Sequence, residues 1–290
     1  MIRRAHFDIP LPTGEVLTLG PRTFVMAIVN VTPDSFSDAG VHLSPDVAVA
    51  EAIRMAEQGA DILDIGGEST RPGAEPLPLE DEWRRVAPVL EGLAGRVTVP
   101  ISIDTYKAEI ARRAVRLGAS IVNDVTALDA DPDMARVVAD SGAAVVLMHH
   151  RGRSDDMYAR ASYTDVVSDV RAELATRVAV AEQAGIQRSR IVIDPGLGFA
   201  KRATHTMEAL AGLAGFADLG LPVLSGPSRK SFLQAALGER APHERVWGTA
   251  AAVAASVWLG AHVVRVHDVP AMVDVVRVTD ALRSAAVSRV

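Results

Sequence analysis

Eight short apolar runs lie along the chain, and each stops at polar, charged or glycine residues. The runs cover residues 24–29, 61–65, 99–103, 119–122, 144–148, 190–193, 221–224 and 262–264. The residues that follow them are Asn30, Gly66-Gly67-Glu68, Asp104, Asn123-Asp124, His149, Asp194, Gly226-Pro227-Ser228-Arg229-Lys230 and Arg265-Val266-His267-Asp268. A short apolar run of this kind predicts a strand that is buried on both faces, as in a parallel sheet.

Helical segments separate these runs. The clearest cover residues 45–58, 106–117, 133–141 and 164–184, and a glycine follows each of them, at positions 59, 118, 142 and 185. Glycine at a helix C-terminus accepts the positive φ that ends a helix. Eight strands alternating with helices predict an α/β fold, a single (β/α)8 TIM barrel. The carboxyl ends of its strands converge on one mouth, so the polar stops become neighbours there.

The first twenty residues have a different pattern. Pro12-Thr13-Gly14-Glu15 separates two short apolar segments within residues 5–20, which predicts a β-hairpin. We therefore expect an N-terminal hairpin segment over 1–20, covering the bottom of the barrel. One catalytic barrel domain is expected over 21–290.

Composition narrows the class of protein. The chain has 290 residues, 49% of them hydrophobic, a formal net charge of −6 and no cysteine. The negative charge argues against non-specific nucleic-acid binding, and the lack of cysteine excludes thiolate catalysis. No apolar signal region follows Met1, and the stretch 249–259 is too short to span a bilayer. We expect a cytoplasmic protein with no membrane or nucleic-acid partner.

Four segments carry a specific family resemblance. They are Asn30-Val31-Thr32-Pro33-Asp34-Ser35-Phe36-Ser37-Asp38, Asp64-Ile65-Gly66-Gly67-Glu68-Ser69-Thr70-Arg71-Pro72-Gly73, Asp194-Pro195-Gly196-Leu197-Gly198-Phe199 and Ser228-Arg229-Lys230, with Arg265-Val266-His267-Asp268 near the end. Together they resemble the signatures of the dihydropteroate synthases. The resemblance implies a transferase of folate biosynthesis, a sulfonamide target and a homodimer. Such an enzyme condenses 6-hydroxymethyl-7,8-dihydropterin pyrophosphate with p-aminobenzoate to give 7,8-dihydropteroate and pyrophosphate.

The chemistry of a pterin suits several of the strand-end residues. Asp194 can accept two parallel hydrogen bonds from the ring edge, and Asn123 offers both a donor and an acceptor. Asp104 can accept from a ring N–H, Lys230 can donate to the ring, and Met148 belongs to the same expected set. Each Asp or Asn could instead cap the neighbouring helix, which is the stronger interpretation for Asp124.

Pyrophosphate, the leaving group, calls for cations. Arg265 and His267 are two residues apart on the last strand and are expected to face the same side. Asn30 is a neutral oxygen ligand suited to Mg²⁺ that arrives bound to pyrophosphate. Thr70 and Arg71 are expected to close over the site from the second loop.

The p-aminobenzoate ring is expected to pack near Phe36, Pro72 and Phe199. Its carboxylate would meet Ser228, Arg229 or a helix N-terminus after Ser228. An early-departing leaving group needs electrostatic stabilisation more than a strong base. The expected catalytic residues are therefore Asp104, Lys230, Arg265 and His267.

Other interpretations remain at this stage. A pterin-binding methyltransferase would share the Asp and Asn pterin edge without needing the pyrophosphate residues. A non-catalytic paralogue and a generic phosphate-binding barrel are further alternatives. His149-His150 is not expected to bind zinc, and Asp81-Glu82 and Glu244-Arg245 are interpreted as solvated helix charges. Three positions depart from the usual family pattern: Ala39, His150-Arg151 and Pro227.

Overall fold

The computed structural model describes residues 4–32, 44–69, 74–152 and 156–287. Four of the expected site residues, Phe36, Thr70, Arg71 and Pro72, lie outside the described residues, as does Ala39. What the sequence predicts for them stays a prediction.

The strands form two sheets. In chain order they are β1 (Phe7–Pro10), β2 (Val16–Leu19), β3 (Phe24–Asn30), β4 (Ile62–Gly66), β5 (Ile101–Asp104), β6 (Ile121–Asp124), β7 (Ala144–Met148), β8 (Ile191–Asp194), β9 (Leu224–Ser225) and β10 (Val263–Val266). Strands β3 to β10 are parallel, in the order β8-β7-β6-β5-β4-β3-β10-β9. A parallel bridge between Ile193 and Val223 brings the two edges of this sheet together. The predicted (β/α)8 barrel is thereby confirmed.

Helices cover the outside of the barrel. They are α1 (Pro45–Glu57), α2 (Leu79–Leu93), α3 (Ala108–Arg116), α4 (Met134–Ser141), α5 (Val166–Gln183), α6 (Ala203–Ala211), α7 (Gln234–Leu237), α8 (Val246–Trp258) and α9 (Val269–Val287). The four predicted helices are present, each shorter by one to three residues. The glycines that follow them all have positive φ, as expected: Gly59, Gly118, Gly142 and Gly185. In the described part of the chain, no helix is long and apolar enough to span a membrane.

Successive side chains along each barrel strand point to opposite faces of the sheet, and they form two separate hydrophobic cores. The larger core lies between the sheet and the helices and includes Leu63 and Ile65 of β4. Ile62 of the same strand belongs to the smaller core inside the barrel. Because the side-chain period of a strand is two residues, Asp64 also faces the barrel interior, one step nearer the mouth. The interior is thus apolar at the bottom and polar at the top.

The N-terminal hairpin closes the bottom of the barrel. Strands β1 and β2 pair antiparallel, from Phe7 opposite Leu19 to Pro10 opposite Val16. Ile9 and Leu19 are fully buried and share the interior core with residues near the amino ends of the barrel strands. The predicted hairpin is present where it was expected, at the end opposite the catalytic mouth.

Candidate active site

A polar layer crosses the barrel where five strands approach the mouth. Its members are Asp64, Asp104, Asn123, Asp194 and Arg265, which stand on β4, β5, β6, β8 and β10. All are buried or nearly so, although they lie in strands that are otherwise apolar. The folding of five separate segments therefore brings five hydrogen-bonding groups into one space.

Arg265 joins the first half of this layer. Its Nε donates to Asp64 Oδ2 at 2.6 Å, and its second guanidinium nitrogen, Nη2, donates to Asp104 Oδ2 at 2.6 Å. Asn123 Nδ2 donates to the same oxygen of Asp64 at 3.0 Å. The remaining oxygens, Asp64 Oδ1 and Asp104 Oδ1, are buried and have no hydrogen-bond partner among the described residues. Buried acceptors of this kind are suited to a ligand that presents N–H groups.

Burial sets the electrostatics of this half. It raises the pKa of Asp104 to about 7, with the guanidinium of Arg265 opposing the shift and the neighbouring Asp64 adding to it. Two carboxylates next to one cation hold an excess of negative charge. This charge favours a ligand that donates hydrogen bonds or carries positive charge.

Asp194 and Lys230 form the second half. Asp194 Oδ1 accepts from the backbone N–H of Gly196 at 2.7 Å. Lys230 Nζ donates to the carbonyl oxygen of Leu197 and lies 4.6 Å from the ring centre of Phe199. Burial raises the pKa of Asp194, opposed first by Lys230, and burial lowers the pKa of Lys230 to about 8, opposed by Asp194. Met148 lies opposite Asp194 in the register of β7 and β8.

His267, Ser228 and Arg229 lie together at another part of the mouth. The Oγ of Ser228 is 3.0 Å from His267 Nδ1 and accepts from the His267 backbone N–H at 3.2 Å. Arg229 makes a two-point ion pair with Asp268, so a ligand carboxylate would have to displace Asp268. The segment after Ser228 is a turn followed by a short 3₁₀ helix rather than an α-helix, so no α-helix N-terminus lies directly there.

The predicted common face of Arg265 and His267 is only partly present. Strand β10 ends at Val266, so His267 lies just beyond the strand. Arg265 points into the polar layer, towards Asp64 and Asp104, whereas His267 contacts Ser228. The alternation of side chains along a strand correctly places Arg265 in the barrel interior. It does not predict the direction of His267, because His267 lies after the last paired residue of β10.

Asn30 is the residue expected to contact a metal ion. It ends β3, is half-buried, and lies opposite Gly66 at the end of the register with β4. Among the described residues, no group of three His, Cys, Asp or Glu side chains could hold a metal ion by itself. A single neutral oxygen fits an Mg²⁺ ion that brings most of its other ligands with it.

A cavity of about 460 Å³ opens beside the polar layer. Glu68, Tyr106, Val125 and His150 line it, together with Phe199, whose ring also lies near Lys230 Nζ. Its size is typical of a site for a small organic molecule. The chemistry, however, resides in the adjacent polar layer rather than in this cavity.

Strand-end reasoning missed Asp64. The pattern places it inside an apolar run rather than at its end, because Ile65 follows it. The structure shows that it is fully buried and bonded to both Asn123 and Arg265. The sequence did contain a signal for Asp64, because a carboxylate in a strand that is buried on both faces needs partners for its charge.

Two interpretations of charged residues were wrong. Glu82 is buried rather than solvated, and its carboxylate pairs with Lys107 at 2.5 Å. Arg245 is also buried, and donates to the carbonyl oxygens of Arg229 and Arg240. Helical periodicity alone could not reveal these contacts, because their partners lie outside the helix to which each residue was assigned. Asp124 accepts from the N–H groups of Thr126 and Leu128 in the turn that follows β6, so it caps this turn and not the neighbouring helix that the alternative interpretation expected.

Comparisons with known proteins agree with this geometry. Residues 26–267 match the family described as pterin binding enzyme. The chain is 44% identical over 278 residues to the dihydropteroate synthase of Synechocystis sp., with 96% of each chain covered. Its fold is similar to that of Xanthomonas albilineans dihydropteroate synthase with 4-aminobenzoic acid, at a TM-score of 0.89 and 46% identity, covering 96% of this chain and 99% of that one. It is also similar to Yersinia pestis dihydropteroate synthase in a sulfonamide drug complex, at a TM-score of 0.90 and 38% identity, covering 97% and 100%.

Proposed function

This chain belongs to the pterin-binding enzyme family, among the dihydropteroate synthases, and from that premise we propose how its residues divide the reaction. The enzyme is a transferase of folate synthesis. It condenses 6-hydroxymethyl-7,8-dihydropterin pyrophosphate with p-aminobenzoate and releases 7,8-dihydropteroate and pyrophosphate. The observation that supports the residue roles best is the buried polar layer, in which carboxylate oxygens outnumber their donors.

The pterin binds within this layer. Asp194 accepts from N3 and the 2-amino group of the ring, since its Oδ2 is not used by Gly196. Asn123 and Asp104 contact the opposite part of the ring, where the unpaired oxygen of Asp104 accepts a ring N–H. Lys230 donates to the pterin carbonyl or a ring nitrogen. Asp64 orients both Asn123 and Arg265.

The pyrophosphate group binds towards β10 and β3. Arg265 and His267 supply donors to it. Asn30 would serve as a neutral oxygen ligand to Mg²⁺ that arrives with pyrophosphate, and the ion would supply positive charge to the leaving group. In the ligand-free protein Arg265 is held by two carboxylates, so pyrophosphate competes with these carboxylates for its donors.

The p-aminobenzoate amine attacks the carbon from which pyrophosphate leaves. An aromatic amine is a weak nucleophile, so departure of pyrophosphate leads and leaves a cation conjugated with the dihydropterin ring. The negative charge of Asp104 stabilises this cation, which is electrostatic catalysis without a strong base. Phe199 packs against the p-aminobenzoate ring, and Ser228 lies near its carboxylate.

The same chain forms a homodimer through α8 and α9. On α8 the outward positions Trp247, Ala251, Ala254 and Trp258 form one apolar stripe. On α9, Val275, Val278 and Leu282 continue it, and Trp247 and Val278 are 80% and 62% exposed. Charged side chains normally occupy the outer face of a barrel helix. An apolar face across two packed helices is typical of a surface that a second subunit covers.

The test of the reaction is formation of dihydropteroate by the purified protein, followed with and without Mg²⁺. Pyrophosphate release in equal amount to product separates this activity from that of a pterin-binding methyltransferase. Product formation without Mg²⁺ at the same rate would contradict the role of the metal ion but not the reaction. Absence of product under all conditions would contradict the function.

Asp194→Asn tests the pterin role directly. The amide would direct an N–H towards a donor edge, so the loss of one hydrogen bond to a charged group, about 1.5–3 kcal/mol, weakens pterin binding at least about tenfold. Calorimetry with 6-hydroxymethyl-7,8-dihydropterin measures this change. Asp8→Asn, on the exposed side of the N-terminal hairpin, is the control and should bind as the wild type does. Unchanged affinity in the Asp194 variant would rule out this contact.

A further inference from the structure

Lys201 is a buried lysine that the reaction itself does not use. Its side chain is only 2% exposed, at the end of the loop that follows β8. Its Nζ lies 2.8 Å from His149 Nδ1 and 3.1 Å from each of the carbonyl oxygens of Gly196 and Phe199. An ammonium group has three N–H bonds and no acceptor, so these three acceptors use all of them.

The contact with Lys201 assigns the tautomer of His149. Because the charged ammonium form of Lys201 has no acceptor, it makes His149 Nδ1 the acceptor and places the ring proton on Nε2. That nitrogen is 3.1 Å from Glu173 Oε2, to which it donates. Burial, followed by the nearby charge of Lys201, lowers the pKa of His149 to about 4, which agrees with a neutral ring. Glu173, His149 and Lys201 thus form one directed chain of hydrogen bonds from α5 to the β8 loop.

The loop that Lys201 holds is the one that carries Asp194 and Phe199. Its backbone has positive φ at Gly196, Gly198 and Ala200. A Cβ at Gly196 would lie 2.1 Å from the carbonyl oxygen of His149, so the loop is packed closely against the end of β7. Such a conformation persists only where surrounding contacts hold it.

Two lysines and a tyrosine bind the carbonyl oxygens of this loop. Lys201 takes those of Gly196 and Phe199, Lys230 takes that of Leu197, and the Tyr163 hydroxyl donates to that of Ala200 at 2.9 Å. Lys230 reaches the loop from the segment that follows β9. Lys201 belongs to the loop itself and also contacts His149, which follows β7.

Burying a charged ammonium group costs free energy, so its volume alone does not explain its presence here. Burial lowers the pKa of Lys201 to about 7, with the charge of Asp194 opposing the shift. An apolar side chain of the same volume would leave three buried acceptors without donors: His149 Nδ1 and the carbonyl oxygens of Gly196 and Phe199. These acceptors belong to the segments that present Met148, Asp194 and Phe199 to the mouth.

We propose that Lys201 is a positioning residue for the pterin site. Held by His149 and through it by Glu173, its ammonium group fixes the loop from Asp194 to Phe199 in the conformation that binds substrate. This inference rests on the proposed role of Asp194 in pterin binding. Lys201 contacts no reacting atom, so it acts through the loop.

Lys201→Met tests the proposal, because methionine keeps the length and volume of the side chain without its donors. We expect the Kd for 6-hydroxymethyl-7,8-dihydropterin to rise at least about tenfold, since the orientation of the Asp194 carboxylate is lost. The KM for the pterin substrate should rise with it. His262→Gln is the control: it removes another buried ring, which bonds Val223 and Ala5 at the bottom of the barrel. It should lower the melting temperature without weakening pterin binding. Pterin affinity within twofold of wild type in a folded Lys201→Met protein would overturn the proposal.

Glu173→Ala tests the outer end of the chain without changing the buried lysine. Glu173 is partly exposed on α5, so the variant is expected to fold. Loss of this contact leaves His149 Nε2 without its carboxylate partner, so the ring is held less firmly against Lys201 and the Kd for pterin should rise at least about threefold. Glu182→Ala is the matched control, because Glu182 lies on the same helix and pairs with Arg188 at the surface. Equal pterin affinities for the two variants would contradict the proposed chain of hydrogen bonds from Glu173 through His149 to Lys201. This test remains decisive even if Lys201→Met does not fold.

A chemical rescue distinguishes the effect of the ammonium group from the effect of the side-chain volume. The chain contains no cysteine, so Lys201→Cys would introduce its only thiol. Aminoethylation in denaturant, followed by refolding beside wild type treated in the same way, restores an ammonium at nearly the original distance. Pterin affinity should return after modification, and its failure to return in refolded protein would contradict the proposal. Product formation by wild type tests the enzyme's function separately, since the binding measurements need no turnover.

Discussion

At the scale of single residues, the site is organised around one guanidinium. Arg265 is bound by two carboxylates, Asp64 and Asp104, each of which keeps one buried oxygen without a partner. A single cation cannot neutralise two carboxylates, and burial increases the remaining imbalance. The layer is therefore held ready for donor groups of the pterin and for the positive charge that develops when pyrophosphate leaves.

Asp104→Asn should change how stability depends on pH. The pKa of Asp104 is raised in the folded protein to about 7, so its contribution to stability is present below pH 4 and is lost as the pH rises through 7. The asparagine variant lacks this loss. The difference in unfolding free energy, wild type minus variant, should therefore fall between pH 5 and pH 8, by at most about 1.4 kcal/mol per pH unit.

Urea unfolding at pH 5, 6, 7 and 8 measures this difference. The variant should also lose dihydropteroate formation, most strongly at pH 8, where wild-type Asp104 is ionised and supplies the charge that stabilises the cation. A difference in stability that stays constant or grows with pH would show that Asp104 is ionised throughout and that Arg265 outweighs burial.

At the scale of elements, the two ends of the barrel interior differ: the lower end is apolar and the upper end is polar. Strand alternation places Ile62, Ile121 and Val192 in the apolar lower interior and their neighbours two residues later in the polar layer. The hairpin of β1 and β2 covers the lower end, so the barrel interior is sealed from water there. The substrate contacts that we propose lie at the upper end, on strand ends and the loops that follow them, which is the usual division of a TIM barrel.

Leu19→Ala should destabilise the enzyme without altering its chemistry. Leu19 is fully buried in the core that the hairpin shares with the barrel, so its truncation is expected to cost about 2–5 kcal/mol of unfolding free energy. Below the unfolding transition, kcat and the KM for pterin substrate should stay near wild type. Val16→Ala, on the same strand but exposed, should change stability by about 0.5 kcal/mol or less. A large effect of Leu19→Ala on kcat would show that the hairpin reaches the active site.

At the scale of the whole molecule, two neighbouring helices expose an apolar surface. The stripes on α8 and α9 adjoin, since the side chain of Arg283 on α9 donates to the carbonyl oxygen of Trp258. The outer faces of the two helices thus form one exposed apolar patch. In the homodimer that we propose, a second copy of the chain would cover this patch on both subunits at once, because a twofold interface is self-complementary.

Light scattering at micromolar concentration should give the mass of a dimer. Val278→Glu combined with Leu282→Glu should produce a monomer, because two buried charges on each subunit would face each other at the twofold interface. Val47→Glu is the control, since Val47 is an exposed apolar residue on α1, a different helix. A monomeric wild type, or a charged variant that remains dimeric, would contradict the interface.

The pattern of apolar runs and polar stops determined much of this protein by itself. It identified the eight strands, the hairpin and four helices with the glycines that end them. These features depend on burial and backbone preferences of residues that are close together in the sequence. It also located Asp104, Asn123, Asp194 and Arg265, since residues at the carboxyl ends of parallel strands converge whatever the details of packing. The family motifs then indicated the reaction.

Only the tertiary structure decided which of these groups bind one another. Asp64 lies within an apolar run, yet it pairs with Arg265 from a strand two hundred residues away. Glu82 and Arg245 read as surface charges, yet distant segments bury them. Lys201 meets His149 and two carbonyl oxygens only because β7 and β8 are neighbours in the sheet. Periodicity records which side of an element faces the core. The partner on that side depends on how the whole barrel closes.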